Sequence, residues 1–409
     1  MSALELQGDA TEFGFDPVRL EGVRDHFARY VDDGRLAGWQ ITVARSGSLV
    51  WSANYGHADR EAERPVTNDT IWRIYSMTKP LTSIGVMMLY EEGKFDLNDP
   101  AGKWLDELKE PRVYLSGPPN APKTVPATEP VRIHHLLTHM SGLTYGFQYT
   151  HVVDAIYRAK GYDFGSPKGA DLKQAVQDWC TTPLLFQPGS GWNYSHATDV
   201  LGRLIEIWSG LSLPEFFRTR ILDPLGMTDT DWHCVEEKLD RLSMLYVPTR
   251  DGAKPFEELA KGARREPRWH GGGGGLLSTA HDYQRFMTML LNGGVLDGVR
   301  LVSDRTLLLM TENHLPGDQD LKQFAKDSFS EDGQAGVGFG LGFSVMIDRR
   351  RNKSLTSEGT FGWGGAASTV FWVDPVEELT VGFYTQLLPS STYNIRRELA
   401  QLVYSSLVD

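Results

Sequence analysis

The sequence predicts an α+β protein in which an antiparallel sheet, flanked by helices, carries a mostly helical domain as a long insertion. Three observations predict it. Strand-like runs are confined to the two ends of the chain, before Asp96 and after Leu341. Helical spacing and prolines fill the stretch between. Amphipathic helices stand beside the strands at both ends. Residues 1–95 and 263–409 are therefore expected to form one discontinuous domain around the sheet. Residues 96–262 are expected to form the helical domain, with a cleft between the two.

Taken in order, Phe15 to Leu36 reads as a helix because Leu20, Val23, Phe27 and Val31 recur at three and four residues. Trp39 to Ala44 and Ser48 to Gly56 read as strands joined by a short turn at Arg45-Ser46-Gly47. A strand from Trp72 to Tyr75 leads into a helix that has Ser76 as its N-cap and runs to Glu92, where Gly93 closes it. From Asp96 the alternation stops. Pro111, Pro118, Pro119, Pro122 and Pro126 break the chain, and helices follow at about Val131–His139, Ala170–Thr181, His196–Trp208 and Leu213–Ile221. The run Gly271–Gly275 precedes a helix over Thr279–Leu291 and another over Ser303–Met310. Strands return at Leu341–Ile347, Ala366–Val373 and Glu378–Gln386, and the final helix, Thr392–Ser405, puts Ile395, Leu399, Leu402 and Val403 on one side.

Composition narrows the function. The chain has 409 residues, 41% hydrophobic and 23% charged, which is ordinary for a globular protein. A net charge of -12 argues against a nucleic-acid partner. Apolar runs are interrupted well before the length a membrane helix needs. Met1 to Glu12 shows no secretory pattern and the two cysteines are too few for a disulfide scaffold, so a cytoplasmic setting is expected. His135 and His139 stand one helical turn apart, but no His-Glu-x-x-His pattern or carboxylate cluster accompanies them. No metal or cofactor is expected, and the oligomeric state is not readable.

The chemistry concentrates in three places. Ser76 precedes Lys79 by three residues, which puts both on one helical face and lets the amine take the hydroxyl proton if burial or a nearby positive charge lowers its pKa. Pro80 falls in the first turn, where its missing N–H has no helical acceptor to lose. Within the helical block, Pro188-Gly189-Ser190-Gly191 forms a loop before Trp192-Asn193-Tyr194-Ser195-His196, from which Tyr194 reaches toward Ser76 and Lys79. Near the C-terminus, Phe361-Gly362-Trp363-Gly364-Gly365-Ala366 offers glycines on an edge strand, where substrate approaches the backbone closely.

In this order and spacing the motifs resemble those of the serine beta-lactamase-like superfamily, shared by class C beta-lactamases, DD-peptidases, and related family VIII carboxylesterases and acyltransferases. Ser76 and Lys79 match its Ser-x-x-Lys motif, Tyr194 the tyrosine of Tyr-x-Asn, and Trp363-Gly364-Gly365 takes the place of Lys-Thr-Gly. The runs Ile133–Leu143 and Asp223–Met227 also resemble the family. The resemblance implies a beta-lactamase/DD-peptidase-like fold and an acyl-enzyme on Ser76. It implies Lys79 and Tyr194 as general base and acid, and an oxyanion hole from the backbone N–H groups of Ser76 and Ala366. Which of Lys79 and Tyr194 holds the proton at rest stays open.

Two departures bear on substrate. Tryptophan replaces lysine at 363, offering apolar contact where relatives hold a substrate carboxylate, and His196 replaces the asparagine of the tyrosine motif. Both favour esters over beta-lactams or peptides. The expected activity is a serine carboxylesterase acting on small to medium esters. Trp192, Tyr145, Phe147 and Phe361 join Trp363, Gly364, Gly365 and His196 as expected pocket residues. A beta-lactamase, a D-amino-acid peptidase or amidase, and an acyltransferase to an alcohol are the enzymatic alternatives. A binding or sensor protein of the same fold is the non-enzymatic one, and intact Ser76, Lys79 and Tyr194 count against it.

Overall fold

Strands from the two ends of the chain interleave in one eight-stranded antiparallel sheet in the computed structural model, which describes residues 4–163, 165, 167, 169–325 and 334–408. The strands are β1 (Gly38–Arg45), β2 (Ser48–Asp59), β3 (Arg64–Pro65), β4 (Val337–Phe339), β5 (Ser344–Met346), β6 (Phe361–Gly364), β7 (Val370–Asp374) and β8 (Leu379–Tyr384). Their spatial order is β4-β5-β6-β7-β8-β1-β2-β3, so the N- and C-terminal segments meet at the β8–β1 pair near the middle. Five helices pack around this sheet and the site: α1 (Pro17–Asp32), α2 (Thr78–Glu91), α3 (Ala197–Ser209), α4 (Ala280–Leu291) and α5 (Ile395–Ser405).

The period-two pattern of the strands decides what each face buries. Trp39, Ile41 and Val43 of β1 and Leu379, Val381 and Phe383 of β8 share a core with Leu20, Val23 and Phe27 of α1 and with Ile395, Leu399 and Val403 of α5. Phe371 and Val373 of β7 and Tyr384 of β8 point the other way, into a larger core that holds Tyr283, Phe286 and Met287 of α4. α2 is buried from Thr78 to Leu89, as its lack of a polar face requires, and packs beside α3 in that larger core.

Several expectations change at the level of elements. The strand foreseen over Trp72–Tyr75 covers only Trp72–Arg73 and pairs with Leu277–Ser278, outside the main sheet. The block from Asp96 to Gly262 is not free of strands: Arg112–Ser116 pairs with Lys123–Pro126, and Tyr246–Thr249 with Gly252–Pro255. Pro118, Pro119 and Pro122, taken as breaks, lie in the turn of the first hairpin. The C-terminal strand begins at Val370 instead of Ala366, since the chain turns through Ser368 with φ of 70°. β4 is an additional strand, and β6, foreseen as an edge strand, lies between two neighbours inside the sheet.

Candidate active site

Ser76 lies in a single 3₁₀ turn, Tyr75–Met77, that runs directly into α2. The residue before it, Tyr75, has φ of 44°, a left-handed conformation that non-glycine residues rarely adopt. Its surroundings hold it there. Ile74 N–H donates to Leu276 O at 3.0 Å, Leu276 N–H to Thr78 Oγ1 at 3.3 Å, and Tyr283 Oη to Met77 O at 2.9 Å. Ser76 is therefore not the helix N-cap. That position belongs to Met77, and the helix start takes no side-chain cap. The serine hydroxyl instead accepts a hydrogen bond from Lys79 Nζ at 3.2 Å.

Lys79 is buried beneath this turn. Its Nζ also donates to Gly273 O at 2.5 Å and sits 4.5 Å from the ring centroid of Tyr194 and 5.5 Å from that of Tyr145, so two aromatic faces and a carbonyl enclose the nitrogen. Tyr194 is held by its backbone. Its carbonyl accepts from Gln148 Nε2 at 2.6 Å, and Asn193 Nδ2 spans to Leu143 O at 3.1 Å. The phenol oxygen accepts from Trp363 Nε1 at 3.2 Å. Trp363 thus offers a polar contact as well as the apolar one expected of it.

β6 brings the third motif to the same place. β7 pairs with it along its whole length, whereas β5 pairs only as far as Gly362, so Trp363 and Gly364 present an open side. Gly365 has no room for a side chain, because a Cβ there would stand 2.5 Å from Ile74 O, two residues before Ser76. Beyond it, neither the Ala366 nor the Ser76 backbone N–H donates to a protein acceptor among the described residues.

Ser76, Tyr194, Trp363 and Ala366 open onto a cavity of about 880 Å³, whose walls also include Gly364, Gly365, Phe147 and Phe361. Arg396 of α5, tightly ringed by protein yet open to the cavity, donates to Gly365 O at 3.0 Å.

Three of the expected pocket residues stand behind the wall instead of lining it. Trp192 is fully buried, its ring 5.3 Å from that of Phe339. Tyr145 stacks on Phe147 at 4.6 Å, and burial, then Tyr194 and Asp199, push its hydroxyl pKa well up. His196 stacks on Trp179 at 3.9 Å, and its Nδ1 lies 2.8 Å from Asp199 Oδ2. Burial depresses its pKa more than Asp199 raises it. His139 is likewise buried, its Nδ1 3.1 Å from Ser195 Oγ, and burial and Lys79 hold its pKa well below the usual range. Gln148, Gly273, Asp199 and Arg396 belong to the site's surroundings without having stood out in the sequence. Only the glycine run Gly271–Gly275 carried a visible signal.

A family model described as Beta-lactamase matches residues 23–405. The chain belongs to the beta-lactamase family. Protein Rv1367c of Mycobacterium tuberculosis is 34% identical over 375 residues, covering 91% of each chain. Esterase EstB of Burkholderia gladioli is 31% identical over 404 residues, covering 93% of each. A solved structure described as "EstCE1, a hydrolase with promiscuous acyltransferase activity" superposes with a TM-score of 0.79 at 26% identity, covering 95% of this chain and 98% of that one. The fold is thus that of the beta-lactamase/DD-peptidase group. The family and its esterase members put this chain among serine hydrolases and acyltransferases. Among the described residues, no helix is long and apolar enough to cross a membrane.

Proposed function

We propose that this beta-lactamase-family protein is a serine carboxylesterase that hydrolyses small to medium carboxylic esters through an acyl-enzyme on Ser76. The observation that carries the reading is the Ser76 hydroxyl, 3.2 Å from buried Lys79 Nζ, at a cavity that Ala366 also lines. Ser76 Oγ attacks the ester carbonyl carbon as its proton passes to the Lys79–Tyr194 pair. The tetrahedral oxyanion is held by the N–H groups of Ser76 and Ala366, each such donor contributing about 3 kcal/mol in transition states of this kind. Collapse expels the alkoxide, which takes the proton back through Tyr194. A water then gives its proton to the same pair, attacks the acyl carbon, and releases the acid and free Ser76.

Esters are favoured because Trp363 stands where lactamases and peptidases keep a lysine, and because EstB, a relative along nearly the whole chain, is an esterase. Transfer to an alcohol is the second reading. It differs only in what reaches the acyl-enzyme, and the acyltransferase activity in the description of EstCE1 favours it.

The test uses a short p-nitrophenyl ester. Wild-type protein is expected to release nitrophenolate, and Ser76→Ala to lose at least about 10³-fold in kcat/KM. Equal release by the alanine variant, or none by the wild type, refutes the serine-esterase reading. Nitrocefin is expected to turn over far more slowly than the ester, and comparable rates would transfer the assignment to beta-lactams. An added alcohol that diverts product from acid to new ester would establish transfer.

A further inference from the structure

We propose that Asp199 and His196 are positioning residues for the Ser76–Lys79 pair, acting through Gly273. The proposal rests on the serine-esterase reading and adds two side chains to it that touch neither Ser76 nor the cavity.

A continuous set of hydrogen bonds links them. His196 Nδ1 lies 2.8 Å from Asp199 Oδ2, Gly273 N–H donates to Asp199 Oδ1 at 2.8 Å, and Gly273 O accepts from Lys79 Nζ, which reaches Ser76 Oγ. A carboxylate only accepts, so His196 carries its hydrogen on Nδ1. Nε2 is buried without a partner among the described residues, so a second proton there would have no acceptor, and the neutral Nδ1–H tautomer is the one that fits.

The arrangement is built for Gly273. The neighbouring carbonyls are tied down as well, Gly272 O by Thr82 Oγ1 at 2.6 Å and Gly271 O by Trp232 Nε1 at 3.0 Å. A Cβ on Gly273 would stand 2.8 Å from Asp199 Oδ2, and one on Gly271 3.0 Å from Oδ1, so the glycine run is fitted around this carboxylate. Asp199 sits in the first turn of α3, where an acidic side chain ordinarily reaches back to the helix start. Here one oxygen meets the side chain of the N-cap residue His196 in place of its backbone N–H, and the other accepts from Gly273. Taking a carboxylate out of water is costly, and its oxygens are satisfied by a combination that fixes the one carbonyl clamping Lys79. Without it, the carbonyl is free to swing away and the amine loses its aim at Ser76.

The experiment compares three variants in the p-nitrophenyl ester assay. His196→Phe keeps a ring on Trp179 but has no donor, Asp199→Asn removes the carboxylate, and His196→Asn places an amide N–H close to where Nδ1–H was. His196→Phe and Asp199→Asn are expected to lower kcat by about 10- to 100-fold, the range typical for partners that orient an acting residue, with KM changed less than about twofold. The rate at which a fluorophosphonate labels Ser76 should fall by the same factor, and His196→Asn should recover most of the loss. Wild-type kcat in both impaired variants, or an asparagine variant no better than phenylalanine, overturns the proposal. So does a loss expressed in KM alone. Ser76→Ala, run alongside, separates the two levels: if it stays active the esterase reading itself has failed, whereas an inactive Ser76→Ala with unimpaired Asp199→Asn removes only the positioning role. Cooperative thermal melting is required of each variant. Should those at 196 and 199 fail it, Thr82→Val unties Gly272 with the buried charges intact and is expected to lower kcat and labelling together. Unchanged rates there would count against the proposal.

Discussion

Trp363 shows how a single side chain is read differently in sequence and in space. As a residue type it suggested an apolar wall in place of a cationic donor. Folded, its indole N–H also donates to Tyr194 Oη, so it fixes the phenol as well as covering it. Trp363→Phe keeps the ring and removes the donor. A net neutral hydrogen bond is worth about 1 kcal/mol, so kcat for a p-nitrophenyl ester is expected to fall about fivefold with little change in KM. Gly365→Ala is expected to be far more damaging, since the new methyl meets Ile74 O and displaces the end of β6 from the serine turn. Loss of ester turnover in a protein that still melts cooperatively would check this. That Ser76, Lys79, Tyr194 and the Trp-Gly-Gly run come together was legible from their order and spacing. The places of Tyr145, Trp192 and His196 were not, because an aromatic in a loop does not reveal which side of the backbone faces the cavity.

Among the elements, the serine turn depends on neighbours distant in sequence. The two-residue ribbon of Trp72–Arg73 with Leu277–Ser278 and the Tyr283 hydroxyl on Met77 O hold a strained Tyr75 in place. Tyr283→Phe keeps the buried ring and leaves the Met77 carbonyl without that donor. It is expected to cost about 0.5–1.5 kcal/mol in urea-induced unfolding, as for the loss of one internal hydrogen bond. The long elements α1, β1, β2 and α5 were readable within a few residues because their apolar period repeats several times, and α2 because Gly93 closes a long apolar run. β4 has three residues, too few to show a period. β6 alternates Phe361 and Trp363 with glycines, and Gly362 is glycine because a Cβ would stand 2.2 Å from Phe371 O. Close packing of strands set that composition at Gly362, and a single sequence does not separate this cause from substrate approach at an edge.

Across the whole molecule, burial of histidines couples stability to pH. Desolvation holds His134 and His135 at about 4, below the ordinary 6.5. Between those values the unfolded chain binds protons that the folded chain refuses, so stability is complete above about pH 6.5 and falls as pH drops toward 4. His135→Gln is expected to make the fall in melting temperature across this window shallower than in the wild type. Parallel slopes would contradict it. The seam between β1 and β8 has a different consequence, which concerns synthesis. Thr385 Oγ1 reaches Gly38 O across 347 residues. At about 5–20 residues per second, β1 therefore waits roughly 17–70 s for its neighbour to leave the ribosome. Until then Trp39, Ile41 and Val43 lack the partner that buries them. A message cut short before Leu379 yields a chain that cannot close its sheet, however complete its serine, lysine and tyrosine, and such a product is destined for chaperones and proteases.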